Sequence, residues 1–157
     1  MRKPLCLGMM IFAITLAPSQ PSHAVDVPFA GTVASACALV IGTPGVFGVN
    51  GSANLLSSKI AGGLSGSVTA TTTSSDFSVS VASPATFTLS PPGESGSASF
   101  VSTYQLSGAT TAGETDESTS TSLNTGITVV GVDLEATRNT GNYTAGIYEA
   151  AVTVTCE

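Results

Sequence analysis

The sequence predicts an all-β fold, a Greek-key β-sandwich of about seven strands, on three observations. Apolar and β-branched residues recur at every second position in short runs, the period of a half-buried strand. Clusters of Gly, Pro, Ser and Asn separate these runs at intervals of roughly ten residues, the rhythm of an antiparallel sandwich. No stretch places its apolar residues at the spacing of an amphipathic helix.

The elements follow in order. Val25, Val27, Phe29, Gly31 and Val33 alternate with Asp26, Pro28, Ala30 and Thr32, which predicts a first strand. Pro28 cannot donate to a ladder, so that part belongs at a sheet edge. The strand resumes through Cys37-Ala-Leu-Val-Ile41 and stops at Gly42-Thr-Pro-Gly45. After a loop containing Asn50-Gly51, residues 54–60 read as a helical turn. Residues 64–73, with Val68, Ala70 and Thr72 on one face, and then Phe77, Val79 and Val81 predict two strands joined at Ser74-Ser-Asp76. Phe87 and Leu89 begin a short strand cut off by Pro91-Pro-Gly93, and Phe100, Ser102, Tyr104 and Leu106 make the next. Residues 107–122 are Gly, Ser, Thr and acid, expected to be a mobile loop. Residues 127–134 are strongly β-branched, with Gly131 marking a bulge or a close backbone approach. Tyr148, Ala150, Val152, Val154 and Cys156 alternate as the terminal strand.

The front of the chain reads as an address. Arg2 and Lys3 precede an apolar run from Leu5 to Ala17 and a tail ending Ser22-His23-Ala24. That layout is a secretory signal peptide over residues 1–24, leaving a single domain over residues 25–157. The run is too short for a membrane-spanning helix, which needs roughly 20 apolar residues. Cys6 lies inside the run, which argues against a lipid-anchored cysteine. The expected location is therefore outside the cytoplasm: periplasm, cell surface or medium.

Removing 24 of the 157 residues leaves 133, and takes with them Arg2, Lys3, the single histidine and all three methionines. Lys59 and Arg138 then face ten acidic residues, a formal charge of −8. Such a surface repels nucleic acid and anionic membrane.

The missing residue types restrict the chemistry. A Ser-His-Asp or Cys-His nucleophile needs an imidazole, and none remains. A structural zinc wants four N or S ligands, but only Cys37 and Cys156 survive, so no metal or cofactor is expected. Glu114, Asp116 and Glu117 cluster within a polar Ser/Thr/Gly run, where carboxylates stay solvated. A glycosidase requires one with a raised pKa in a shaped cleft. The run also lacks the Asp-x-Asp-x-Asp-Gly spacing of a calcium loop. The expectation is a protein without enzymatic activity.

Two cysteines delivered to an oxidising compartment point to one disulfide, Cys37 to Cys156. Closing a loop of that size stabilises by about 4 to 5 kcal/mol in the chain-entropy model. A bond to a partner chain, or free thiols, are the alternatives.

The run Val27-Pro-Phe-Ala-Gly-Thr-Val-Ala-Ser-Ala-Cys-Ala-Leu resembles the first strand of chaperone/usher pilins and the related spore coat protein U domains. The shared pattern is an aromatic, a Gly, a Val, and a Cys preceded by a small residue. The closing Ala145-Gly-Ile-Tyr-Glu-Ala-Ala-Val-Thr-Val-Thr resembles their terminal Gly-x-Tyr strand. The resemblance implies an immunoglobulin-like sandwich, in pilins lacking its last strand and completed by a strand from a periplasmic chaperone or the next subunit. It implies partners recruited by β-strand addition into a homo- or hetero-oligomer.

Three departures stand beside the match. Residues 68–72, where the family places the second cysteine, hold none; no aromatic lies near Cys156; and only twelve residues, 25–36, separate the leader from Cys37, enough for one strand. Val25, Val27 and Phe29 thus have three readings: a strand donated to a neighbour, a filling for the chain's own groove, or plain first-strand core. With Cys37 tied to Cys156, the strands that flank an open pilin groove are pinned together. A narrowed or closed groove is expected, in a self-sufficient or chain-terminating surface protein. A self-contained binding module, using residues 110–122 or a face bearing Tyr104 and Tyr143, is the alternative from a different class.

Overall fold

A computed structural model describes residues 24–94 and 96–157. The expected signal peptide therefore lies outside the described residues, apart from Ala24. Two units are distinguished, one ending at Gly31 and one spanning Thr32–Glu157.

In the first unit residues 24–31 carry no ladder, and Val25, Val27 and Phe29 are 84 %, 70 % and 95 % exposed. The strand expected from Val25 to Val33 is thus absent: Val33 too is exposed, and pairing begins only at Cys37. Alternation says which face of a strand would be covered. It does not supply the edge that pairs with it, and Pro28 offers one donor fewer to any such edge.

The second unit is all-β, with no helix among the described residues. Strands β1 (Cys37–Ile41), β2 (Gly48–Val49), β3 (Leu55–Ser57) and β4 (Gly66–Thr72) are followed by β5 (Ser78–Ala82) and β6 (Ala98–Gly108). Then come β7 (Ala112–Asp116), β8 (Thr121–Ser122), β9 (Gly126–Arg138) and β10 (Thr153–Cys156). All pairings are antiparallel.

The long strand β9 organises the larger sheet. β6 pairs with it from Ala98↔Arg138 to Gly108↔Thr128. Its other edge is shared, first by β4 (Gly66↔Val132 to Thr72↔Gly126) and then by β3 (Leu55↔Thr137 to Ser57↔Glu135). β1 extends the sheet beyond β4, β2 beyond β3, and β7 beyond β6. The smaller sheet has the order β10-β5-β8.

Alternation along β9 sends Thr128, Val130, Val132, Leu134 and Ala136 inward, all buried. Val130 and Val132 meet Tyr104 and Leu106 of β6, Ala70 of β4, and Val79 and Val81 of β5, so the two sheets enclose one core. A second core at the other end of β9 joins Leu56, Ala136 and Tyr143 to Phe47, Phe87, Phe100 and Tyr148. Its rings meet edge to face, Phe87 lying 4.8 Å from Phe100 and 5.0 Å from Tyr148, the arrangement that aromatic quadrupoles favour.

Other expectations are corrected. Residues 54–60 form strand β3 and a turn, not a helical turn: the Asn50 side chain accepts from the backbone of Asn54 and Leu55 and closes a hairpin, which delivers Leu56 to the core. The stretch expected to be a mobile loop builds β7 and β8. An edge strand needs little apolar content, and charges such as Glu114 and Asp116 suit an edge that must not pair further. Gly131 carries no bulge, since both ladders run through it in register. A Cβ there would meet the Gln105 side chain at 3.3 Å, so what comes close is a side chain and not the backbone. The terminal strand is shorter than the alternation suggests: Tyr148 and Val152 lie outside β10, and Glu149 makes only an isolated bridge to Leu89.

Candidate functional site: an open groove between two sheet edges

β1 ends the larger sheet and β10 ends the smaller one, on the same flank. Cys37 and Cys156 join them in a disulfide with Cα atoms 6.4 Å apart, within the normal reach of the bond. No ladder links the two strands.

Register defines which groups face the gap. Cys37, Leu39 and Ile41 stand opposite Thr72, Ala70 and Val68, the residues of β4 that point into the core. Their side chains therefore point inward as well. Yet Leu39 is 36 % exposed and Ile41 is 80 % exposed. On β10, Val154 and Cys156 stand opposite buried Val81 and Val79 and are half-buried.

The backbone tells the same story. Gly42 N–H donates to Ser67 O and Thr73 N–H to Ala36 O, so the even-numbered residues of β1 bond to β4. In an antiparallel ladder the alternate residues then face the other way, which turns the N–H and C=O of Leu39 and Ile41 toward the gap. Ser78 and Glu157 exchange both bonds, so by the same rule Val154 and Cys156 turn theirs toward it from β10.

A cavity of about 210 Å³ opens there, walled by Ile41, Val46, Phe47, Val152 and Val154 and floored by Val68, Val132 and Leu134. A wider trough of about 870 Å³ continues from it, sharing Gly45, Val46, Phe47 and Ala150 and extending along residues 143–149. The groove expected to be narrowed or closed is thus open: the disulfide joins the edges at Cys37, and the cavity is lined by Ile41 on one edge and Val154 on the other.

The wall of the trough is held by a buried ion pair. Glu94 pairs with Arg138, the two side chains being 4 % and 10 % exposed, and accepts from the Tyr148 hydroxyl at 2.7 Å, Gly96 N–H at 3.1 Å and Thr144 N–H at 3.3 Å. The Tyr148 bond does most to hold the Glu94 carboxyl down to about 2. Burial opposes it, and the bonds from Arg138, Gly96 and Thr144 add to it. Burial pushes Tyr143 up to about 12, and burial together with the Glu94 bond raises Tyr148. The Arg138 guanidinium also lies 5.5 Å from the Tyr143 ring centre.

Of the residues singled out in the sequence, the structure joins Cys37 to Cys156 and brings Val152 and Val154 to the groove wall. Tyr148 goes instead to the aromatic core. Val25, Val27 and Phe29 stand exposed in their own unit. Tyr104 and Tyr143 are 1 % and 8 % exposed, their hydroxyls bonded to Thr119 O and Ala136 O, so neither presents a ring to a ligand. Glu114 pairs with Lys59 at 2.9 Å, and Glu117 accepts from Ser83 N–H at 3.0 Å. No group of three potential metal ligands gathers among the described residues. Sequence reasoning missed Leu39, Ile41 and the Glu94–Arg138 pair. The first two carried a signal in Cys37-Ala-Leu-Val-Ile41, an edge strand apolar on both faces.

Comparison with known proteins finds no match to this chain among family models, curated proteins or solved structures.

Proposed function

We propose that the protein is a secreted, non-catalytic subunit of a surface assembly, with an immunoglobulin-like Greek-key fold short of one strand. An extended segment from another copy completes it, and a periplasmic chaperone holds the groove until then. The observation that carries this reading is the exposure of Leu39 and Ile41, which point to the core side of their sheet with no strand beside them. Free backbone groups above an apolar floor are what β-augmentation uses: main-chain bonds for affinity and alternate side chains in pockets for specificity.

The segment best suited to the groove is residues 25–33 of a second copy. Val25, Val27, Phe29 and Val33 share one face, are exposed, and sit beside a single charge, Asp26. Strand pairing begins only at Cys37, and the bonds to Thr73 begin at Ala34 and Ala36, so residues 25–33 are free of ladder duty among the described residues and form an arm. Pro28 falls on the alternate backbone positions, so the arm keeps every bond toward one edge and loses one toward the other. A cavity of about 150 Å³ accepts a benzene ring, so the 210 Å³ here has room for the Phe29 phenyl.

The test is titration of the oxidised protein, residues 25–157, with a synthetic peptide of residues 25–33, read by calorimetry. Saturable binding that is lost with Phe29→Ala in the peptide is expected. Failure to bind, or equal binding of a scrambled peptide, overturns the reading.

A further inference from the structure

We propose that the Cys37–Cys156 disulfide is a stop for the incoming strand: insertion is confined to the part of the groove beyond Ile41 and Val154, and the cysteine end of both edges stays unpaired. The inference rests on the strand-acceptor reading and adds to it where the strand must end.

Spacing decides the matter. A strand hydrogen-bonded to one neighbour lies about 4.7 to 4.9 Å from it, and one bonded to both β1 and β10 needs them nearly 10 Å apart. At the disulfide the Cα atoms are 6.4 Å apart. A strand laid in the gap on β1 at that level would stand about 2 Å from β10, closer than any two chains can approach. Nor can the obstacle swing aside, because it is covalent and each cysteine sits within a laddered strand.

The closure is local. Four residues along β1 and two along β10, the side chains of Ile41 and Val154 already wall the cavity, whereas neither cysteine does. From Cys37 to Ile41 is four residues, so the stop withholds about 13 Å of the edge of β1. The groups withheld are known: Cys37 N–H and C=O face the gap by the same alternation that turns Leu39 and Ile41 toward it, and Cys156 does so on β10. The arm, about 30 Å long when extended, must therefore spend most of its length over the wider trough toward Val46 and Ala150.

Amide exchange read residue by residue in the oxidised protein, with the peptide of residues 25–33 at about a hundred times its Kd, tests this directly. Exchange at Ile41 and Val154 is expected to slow about a hundredfold, while Cys37 and Cys156 stay within about twofold of the free protein. Protection that reaches Cys37 and Cys156 with the disulfide intact overturns the stop and leaves strand acceptance standing. No protection anywhere overturns both. In a Cys37→Ala/Cys156→Ala variant the protection is expected to spread to positions 37 and 156. Should that variant not fold, the oxidised protein alone still decides between the outcomes.

Discussion

The two flanks of the two-sheet unit face the same task and meet it differently. At one flank β7 and β8 are the edges of the two sheets, and the chain itself crosses between them through residues 117–120. Polar groups tie the crossing down. The Tyr104 hydroxyl lies 2.8 Å from Thr119 O and 2.7 Å from the Thr121 hydroxyl, and Glu117 reaches the backbone of Ser83. Leu123 closes the core beneath, 1 % exposed. At the other flank β1 and β10 are joined by one covalent bond at one end, and Ile41 stands four-fifths exposed over Val68 and Val132. A continuous chain with satisfied polar groups seals a flank along its length. A single crosslink fixes a distance at one level and leaves the rest available.

Breaking the crosslink should have the largest effect. Cys37→Ala/Cys156→Ala is expected to lose about 4 to 5 kcal/mol by the chain-entropy model, read as a lower urea midpoint, and the same loss should follow reduction of the wild type. A loss below about 1 kcal/mol would mean that the open flank is held by something else.

The next test sets one apolar side chain from each flank against the other. Leu123→Ala should cost about 2 to 5 kcal/mol because it empties a filled core. Ile41→Ala, removing the same number of carbons from an unfilled site, should cost under about 0.5 kcal/mol while weakening binding of the arm peptide. Equal costs measured by denaturant unfolding would erase the distinction between the flanks.

A smaller effect is expected from pH, acting on the wall of the trough. The Glu94 carboxyl is held at about 2, below the usual value of 4.5, so its contribution is complete above 4.5 and is lost as pH falls toward 2. Tyr143 has the opposite sign: held up to about 12, it favours the fold below pH 10 and ceases to do so as pH rises through 12. Tyr148→Phe, which removes the leading bond to Glu94, should flatten the acid limb of a thermal-stability profile.

Much of this architecture was legible in the residues. Alternation located β4, β5, β6 and β9, because each buries one face and leaves the other wetter, and an apolar run located Cys37–Ile41. Parity, with the expectation of export, pointed to the Cys37–Cys156 bond. β7 and β8 were not legible: as edge strands they bury little, so Glu114, Thr115 and Asp116 read as loop. The arm misled in the opposite sense, since Val25, Val27 and Phe29 alternate as a strand does while nothing among the described residues pairs with them. Half of the groove could be read, from Val152 and Val154. Leu39 and Ile41 were hidden because Cys37-Ala-Leu-Val-Ile41 is apolar on both faces and shows no inward side. The Glu94–Arg138 pair joins residues 44 apart in sequence, a contact that no local pattern encodes.

The position of the disulfide also sets how the molecule would bear tension. A pull on residues 25–33 meets the bonds of Ala34 and Ala36 to Thr73 and then Cys37, where the sulfur bridge passes it to Cys156 and β10. Force entering by the arm is thereby divided between both sheets once it has passed the single rung at Ala36. Without the bridge the same pull would peel β1 from β4 one hydrogen bond at a time. A subunit joined to its neighbours through an arm and a groove would thus carry load through a covalent bond placed where the two meet.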